Sequence, residues 1–277
     1  MTPAAVGQLV RTLEEQLGTP LFLRGTSGKA RLVLTEAAER ALPDIQAGFE
    51  RLALGMERLR EASPLQPLTV TVSPAFAAKW LLPRIERFQA ACPDTEVRLD
   101  TSLKPVDFVA QRIDIGVRYG TGHWPGMTAQ KLMDEEVFPV CSPQWLREGR
   151  RLQRPHDLAK ADLIHDLSMD SHTGFPTWDP WLQRAGVKSA AARPGLKINN
   201  SAAVLQAAID GRGVALARSV MAHDDLAAGR LVRLFPEVRF VSPLAYYVVY
   251  RPESAGLPRL VSFREWLFKE AATQRAL

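Results

Sequence analysis

From Leu68 to the carboxyl terminus, short apolar runs alternate with longer segments of helical periodicity. The predicted strands are 68–73, 95–101, 114–118, 137–140, 196–199, 214–217 and 246–250, and the predicted helices are 76–91, 201–210, 257–272 and a short one just before 114. Such alternation predicts an α/β architecture with parallel sheets. Because the region is long for one compact body, we expect two lobes. Lobe I should comprise about 68–138 and 240–277, and lobe II about 139–239.

The segment before this region carries a heptad pattern. Thr35 is a suitable N-cap for a helix that runs to about Glu61. Its apolar residues step by three and four positions, as the a and d residues of a coiled coil do: Leu42, Ile45, Phe49, Leu52, Met56 and Leu59. The narrow stripe favours a partner helix, so we interpret 35–62 as a dimerisation helix and 63–67 as a hinge. An amphipathic helix that lies on its own domain is the alternative, since the pattern covers fewer than three heptads.

Residues 1–34 predict one helix followed by a hairpin. Thr2 and Pro3 are favourable at a helix start, and Gly18 is suited to the left-handed position after its end. A strand-like segment at 21–24 and a return strand at 30–34 flank a turn-rich tip. A helix followed by a basic hairpin is the layout of a winged helix with its wing.

Composition and charge limit the functional classes. The net charge of +5 permits a nucleic-acid partner without requiring one. With only Cys92 and Cys141, in unrelated contexts, the chain suits a reducing cytoplasm better than a disulfide framework. We find no apolar run long enough to cross a membrane and no secretory signal pattern at the amino terminus.

Nothing in the sequence has the spacing of a catalytic or metal site, so we expect no enzyme, metal or cofactor. The five histidines show no ligand spacing. Asp134, Glu135 and Glu136 are consecutive, and neighbouring residues of a strand face opposite ways. Gly211 and Gly213 do not form a dinucleotide-binding motif, because a third glycine is absent and the turn follows a helix instead of a strand.

Several motifs recur in a fixed order. They are TPAAVGQLVRTLEEQLG at 2–18, LF-x-R at 21–24, LTEA at 34–37, SP-x-FAAKWLLPR at 73–84, DIGVRYG at 114–120, DEEVFPVCSP at 134–143 and LQAAI-x-G-x-GVAL at 205–216. The first three resemble the signature of bacterial LysR-type transcriptional regulators. The others resemble the branch that contains the glycine-cleavage activator and the β-lactamase regulator. The resemblance covers essentially the whole chain.

The resemblance implies a cytoplasmic, ligand-responsive, DNA-binding transcriptional regulator. Its expected fold is a two-lobed, periplasmic-binding-protein-like effector domain after the partial winged helix-turn-helix and the dimerisation helix. Its expected partners are double-stranded operator DNA, a small effector such as an amino acid or a cell-wall fragment, and further copies of itself in a dimer or tetramer. A two-lobed small-molecule binding protein and a DNA-incompetent truncated sensor are the alternatives; the N-terminal signature argues against the first.

The resemblance also assigns candidate site residues. The DNA-binding candidates are Thr2, Pro3, Ala4, Gly7, Gln8 and Arg11 on the recognition helix, and Arg24, Lys29 and Arg31 on the wing. The effector-binding candidates are Ser73, Pro74, Ala75, Phe76, Thr101, Ser102, Arg118, Tyr119, His123, Trp124, Asn200, Ser201 and Tyr247. The guanidinium of Arg118 suits a carboxylate, either of a ligand or of the protein itself.

Two features depart from the family pattern. Family members carry additional helices before the position of Met1, and we expect the chain as given to bind an operator poorly without them, with the apolar stripe of its first helix exposed. A misassigned start is our explanation. Gly7 stands where the family usually has Ser, which removes a hydroxyl from the DNA-facing helix.

Overall fold

The computed structural model describes residues 2–23, 33–61, 67–147, 152–169, 174–187 and 195–275. The chain divides into two compact units, Met1–Ala62 and Ser63–Leu277. The division falls at the start of the segment that the sequence indicated as a hinge.

The first unit begins with helix α1 (Pro3–Leu17), which has the predicted caps. The Thr2 hydroxyl accepts a hydrogen bond from the backbone amide of Ala5, and Gly18 adopts a left-handed conformation with φ 65°. The apolar stripe of α1 is largely exposed among the residues that the structure describes. Val10 is partly buried, and the other members are between 45 and 59 % exposed: Val6, Leu9, Leu13 and Leu17.

A short antiparallel hairpin follows α1. Strands β1 (Phe22–Leu23) and β2 (Val33–Leu34) pair with Phe22 opposite Leu34. A carboxylate oxygen of Glu14 accepts hydrogen bonds from the backbone amides of Leu21 and Phe22, which attaches the hairpin to α1. The predicted tip of the wing, with Arg24, Lys29 and Arg31, lies outside the described residues.

Helix α2 (Glu36–Glu61) starts at the predicted cap, where the Thr35 hydroxyl accepts a hydrogen bond from the amide of Ala38. Its heptad residues form an apolar stripe; Leu42 is partly buried, and the side chain of Leu59 lies outside the described residues. The other members are between 52 and 70 % exposed: Ile45, Phe49, Leu52 and Met56.

The second unit contains two five-stranded sheets, one in each lobe. The first-lobe sheet has the order β4-β3-β5-β12-β6, with β3 Leu68–Val72, β4 Val97–Thr101, β5 Ile115–Gly120, β6 Thr128–Met133 and β12 Ala245–Tyr250. The second-lobe sheet has the order β11-β7-β10-β8-β9, with β7 Val137–Cys141, β8 Leu163–Asp166, β9 Leu196–Ile198, β10 Val214–Arg218 and β11 Val232–Arg233. The chain passes between the sheets twice, from β6 to β7 and from β11 to β12.

Helices cover both sheets. They are α3 Pro74–Phe76, a π-helical turn Ala77–Leu81, α4 Leu82–Ala91, α5 Pro143–Arg147, a 3-10 helix Pro155–Lys160, α6 Trp178–Arg184, α7 Ser201–Ile209, α8 Ser219–Ala227, a 3-10 turn Pro252–Ser254 and α9 Pro258–Arg275. The short helix predicted before residue 114 is wrong: residues 108–112 form turns, with Arg112 at φ 52°.

The prediction of parallel sheets is wrong in part. β3 is parallel to β4 and β5, but β12 runs antiparallel to both of its neighbours. In the second lobe, β7 runs antiparallel to β10. Each antiparallel strand lies beside a crossover between the lobes, where the chain enters the sheet from the other lobe instead of through a helix on the same sheet.

Helix α8 of the second lobe also contacts the first lobe. The two terminal guanidinium nitrogens of Arg84 donate to the carboxylate of Asp224, each at 2.8 Å. The Lys79 ammonium lies 3.0 Å from the carboxylate of Asp225. These ion pairs join the lobes on the side of the helical segment that follows β3.

Candidate ligand-binding cleft

A cavity of about 90 Å³ lies between the lobes. Its first-lobe wall is formed by Ser73, Pro74, Ala75, Ser102, Leu103, Val117, Arg118 and Tyr119, and its second-lobe wall by Ser168, Met169, Asn200, Ser201 and Arg218. Most of these residues stand where a strand ends or a helix begins. In open α/β sheets, ligands bind at such strand ends.

The first-lobe wall contains a capped helix start. β3 ends at Val72, and the Ser73 hydroxyl accepts a hydrogen bond from the amide of Phe76 at 3.2 Å. Pro74 occupies the first helical position, where its lack of an N–H is harmless. The helical segment that begins here therefore presents the positive end of its dipole at the cavity.

The second-lobe wall has a matching helix start. A side-chain oxygen of Asn200 accepts hydrogen bonds from the amides of Ala202 and Ala203, at 2.9 and 3.2 Å, and caps α7. The Ser201 hydroxyl donates to the carboxylate of Asp166, which holds this serine at the cavity wall.

Arg218 ends β10 and lies buried at the base of the cavity. Its guanidinium donates to the Ser201 hydroxyl at 2.9 Å and lies 4.8 Å from the centroid of the Tyr119 ring. Burial is the largest single effect and lowers the pKa of Arg218, but Tyr246, Tyr119, Asp166 and Glu135 together outweigh it, so the pKa is raised. Arg218 is therefore a permanent cation at the junction of the lobes.

Arg118 supplies a second cation from β5. Its guanidinium donates to the backbone oxygen of Ser102 and to the hydroxyl of Thr71, both at 2.7 Å. Burial lowers its pKa, and the charge of Asp100 partly opposes that effect. Arg118 makes no ion pair with the protein in the part of the chain that the structure describes.

Glu135 lies in the crossover from β6 to β7, next to this site. Its carboxylate accepts hydrogen bonds from the Ser219 hydroxyl and the Val220 amide, and its backbone oxygen accepts one from the amide of Ser242, in the second crossover. Burial raises the pKa of Glu135 to about 7, although Arg218 opposes this rise. Glu135 thus connects the two crossovers through its backbone, and its buried carboxyl group attaches the first crossover to the start of α8.

The structure brings most of the predicted effector residues together. The cavity is lined by Ser73, Pro74, Ala75, Ser102, Arg118, Tyr119, Asn200 and Ser201, all of which the sequence had indicated. Five others do not line it: Phe76, Thr101, His123, Trp124 and Tyr247.

The reasons for these five differ. Phe76 is buried and stacks on Trp80 at 5.0 Å, since it lies one helical position beyond the wall residues. Tyr247 lies opposite Arg118 in the β12–β5 pairing, and its ring packs against Trp124 with the centroids 5.5 Å apart, beside the cavity and not in its wall. Thr101 and His123 are exposed outside the cavity.

Sequence reasoning missed five lining residues: Leu103, Val117, Ser168, Met169 and Arg218. A usable signal existed for Arg218, which follows a predicted strand directly and precedes a helix start, as a functional residue often does at such a strand end. Ser168 and Met169 follow β8, a strand that was not predicted.

On α1, the Gln8 side-chain oxygen accepts a hydrogen bond from the Arg11 guanidinium at 2.8 Å, so both polar groups share one exposed face. Thr2, Pro3 and Ala4 are also exposed, and Gly7 is partly exposed. In the described part of the chain, no group of three potential metal ligands occurs, and no helix has the length and apolar character needed to span a membrane.

Comparison with known families matches both units. Residues 61–272 match the LysR substrate binding domain, and residues 1–39 match the bacterial regulatory helix-turn-helix protein of the lysR family. A two-lobed binding protein without a DNA reader does not account for the second match.

Individual proteins agree with this assignment. The chain is 38 % identical over 275 residues to the glycine cleavage system transcriptional activator of Escherichia coli K12, covering 99 % of this chain and 87 % of that protein. It is 34 % identical over 275 residues to the transcriptional activator AmpR of Pseudomonas aeruginosa, covering 99 % and 88 %. The effector domain of that AmpR has a solved structure with a TM-score of 0.62 and 31 % identity, covering 76 % of this chain and 97 % of that domain. The chain belongs to the LysR family of bacterial transcriptional regulators.

Proposed function

We propose that this regulator senses a small anionic effector in the cleft between its lobes. The observation that carries the proposal is the charge of the cavity wall: its charged residues, among those that the structure describes, are Arg118 and Arg218. Helix starts at Ser73 and Asn200 add the positive ends of two dipoles. The carboxylate of Asp166 accepts a hydrogen bond from Ser201 and does not itself line the cavity.

A carboxylate is the anion that this arrangement favours. A guanidinium pairs with it through two parallel hydrogen bonds, and Arg118 uses only two of its five N–H donors in the hydrogen bonds described above. The Ser73 and Ser102 hydroxyls accept hydrogen bonds from the amides of Phe76 and Lys104, so each keeps an O–H donor for a ligand. An amino acid or an acidic cell-wall fragment carries such a group.

The proposal includes a mechanism of response. A ligand that contacts Arg118 in one lobe and Ser201 in the other binds best in one relative orientation of the lobes, and so shifts their equilibrium toward that orientation. The two crossovers, connected by Glu135, serve as the hinge. The change is passed to the DNA readers, which alters their spacing and the bend of the operator.

DNA binding and self-association complete the proposal. The exposed face of α1 with Gln8 and Arg11 would read base edges, and the basic residues of the wing would contact phosphates. The apolar stripe of α2 would pair with the same stripe of a second copy. We place the protein in the cytoplasm, without enzymatic activity.

Thermal unfolding of the full chain tests the effector site. Small carboxylates should raise the melting temperature, whereas their neutral amides and the corresponding amines should not. Arg118→Gln keeps most of the side-chain length without the charge and should abolish the carboxylate effect. Equal shifts with carboxylates and amides, or shifts that survive in Arg118→Gln, would exclude the anion site.

A further inference from the structure

A second cavity of about 250 Å³ opens beside the cleft on the first lobe. It is lined by Leu103, Lys104, Pro105, Val106, Phe108, Arg118, Tyr119 and Trp124. Leu103, Arg118 and Tyr119 also line the smaller cavity between the lobes, so the two spaces share one wall. We call the larger space the Trp124 compartment.

The Trp124 compartment differs in chemistry from the cleft. Apart from the shared Arg118 and Tyr119, its lining is apolar or aromatic with one exception, Lys104. The cleft also has apolar lining residues, but it adds four serines, an asparagine and two arginines. A space with many polar and cationic side chains therefore continues into a larger one whose side chains are mainly apolar.

The apolar wall is held in place by the core of the first lobe. Phe108 packs in a buried cluster with Ile113 and Val249, and Trp124 and Tyr247 pack against that cluster. Gly120 permits the position of Trp124, since a Cβ on Gly120 would lie 3.1 Å from the indole. The compartment is thus supported by packed side chains, as a preformed binding pocket is.

We propose that the effector is a two-part molecule, a carboxylate with an apolar or aromatic tail. The carboxylate lies in the cleft beside Arg118, and the tail extends past Tyr119 into the Trp124 compartment. The proposal rests on the anionic effector site proposed above. It names Trp124 and Leu103 as the residues that set tail specificity, and it disfavours a ligand as small as glycine, which would leave the larger space unfilled.

A series of carboxylates with growing tails tests this on the full chain: acetate, butyrate, hexanoate and 3-phenylpropionate, with 3-phenylpropanamide as the neutral match. Calorimetric titration should give an affinity that rises about fourfold for each added methylene that becomes buried. Tail-bearing carboxylates should also change the tryptophan fluorescence of the chain, whereas acetate should not, and Trp124→Phe should remove most of that change.

Variants distinguish the contribution of the tail to binding from that of the carboxylate. Trp124→Ala should flatten the dependence on tail length and keep the weak binding of acetate, and Trp124→Phe should restore the dependence. If Trp124→Ala does not fold, Val106→Ala serves instead, because Val106 is only partly buried and lines the Trp124 compartment but not the cleft.

The outcomes are distinguishable. Binding of all carboxylates with one affinity, lost in Arg118→Gln, would overturn the two-part ligand and leave the anion site standing. Binding of 3-phenylpropanamide as tightly as its carboxylate would overturn the anion site as well. Absence of binding by every member of the series would overturn both.

Discussion

The guanidinium carbon of Arg218 lies 4.8 Å from the centroid of the Tyr119 ring. Arg218 ends β10 in the second lobe, and Tyr119 lies on β5 in the first, so this contact joins the lobes at the base of the cleft. A desolvated cation–π contact is worth up to about 2 kcal/mol. Both residues also line the cavity. A ligand bound there would therefore lie against one of the contacts that join the lobes.

The Tyr119 ring should therefore contribute more to the free energy of unfolding than the Tyr119 hydroxyl does. Tyr119→Phe removes the hydrogen bond to Ser242, 2.7 Å long, and should lower the free energy of unfolding by about 1 kcal/mol. Tyr119→Leu also removes the ring from Arg218 and should lower it by about 2–3 kcal/mol. Urea denaturation gives both values. Equal losses in the two variants would mean that the cation–π contact adds nothing.

The ion pair between Arg84 and Asp224 should stabilise the contact between the lobes. Asp224→Asn leaves a buried guanidinium without its carboxylate and should cost about 1–2 kcal/mol of unfolding free energy. Asp134→Asn is the matched control, because the ion pair of Asp134 with Lys131 is exposed. Its loss should lower the free energy of unfolding by less than about 0.5 kcal/mol. If both variants lost the same stability, the ion pair between the lobes would stabilise the protein no more than an exposed ion pair does.

Glu135 should make stability depend on pH. Burial raises the pKa of its carboxyl group to about 7, whereas the same group ionises near its ordinary value of 4.5 in the unfolded chain. Between these values the folded protein holds one more proton, so stability should fall as pH rises from about 4.5 through 7, by up to about 1.4 kcal/mol per pH unit.

Chemical denaturation of wild type and Glu135→Gln at pH 5, 6, 7 and 8 measures this effect. The amide cannot ionise, so the variant should lose less stability across the range, and other titrating groups cancel in the comparison. Parallel curves for the two proteins would show that Glu135 does not titrate in this window.

The stripe on α2 should hold two copies together. Phe49→Lys places a charge on a residue that is 70 % exposed within one chain and should shift the protein toward monomer in sedimentation equilibrium. Asp44→Lys adds a lysine on the same helix outside the stripe and should leave the association unchanged. A dimer that tolerates Phe49→Lys would place the interface elsewhere.

Local signals explain which features could be read from the sequence. Thr2, Gly18 and Thr35 act through contacts with near neighbours, so the limits of α1 and the start of α2 were predictable. Ser73 and Asn200 could likewise be recognised as helix caps at strand ends. That both caps line one cavity could be predicted only from the family resemblance, because the two residues are far apart in the chain.

Long-range pairing explains what could not be read. β12 follows a crossover from the other lobe and runs antiparallel to β5. The hydrophobic periodicity of a strand does not indicate its direction in the sheet. Tyr246 and Tyr247 are adjacent aromatic residues on one strand, and only the register of β12 against β5 decides which of them faces the polar network. The resemblance predicts Trp124 at the effector site, and the structure places it in the compartment that adjoins the cleft, a distinction that the sequence does not carry.

The most direct test of a sequence-specific regulator is its distribution on chromosomal DNA. The protein carries a carboxyl-terminal tag at its own locus, so that it is made from its natural start, and the crosslinked DNA is immunoprecipitated and sequenced. We expect enrichment at a few discrete intergenic sites, and loss of those peaks in a Gln8→Ala, Arg11→Ala variant present at the same level. A flat distribution, or peaks that survive both substitutions, would contradict the account of α1 as the DNA-reading helix.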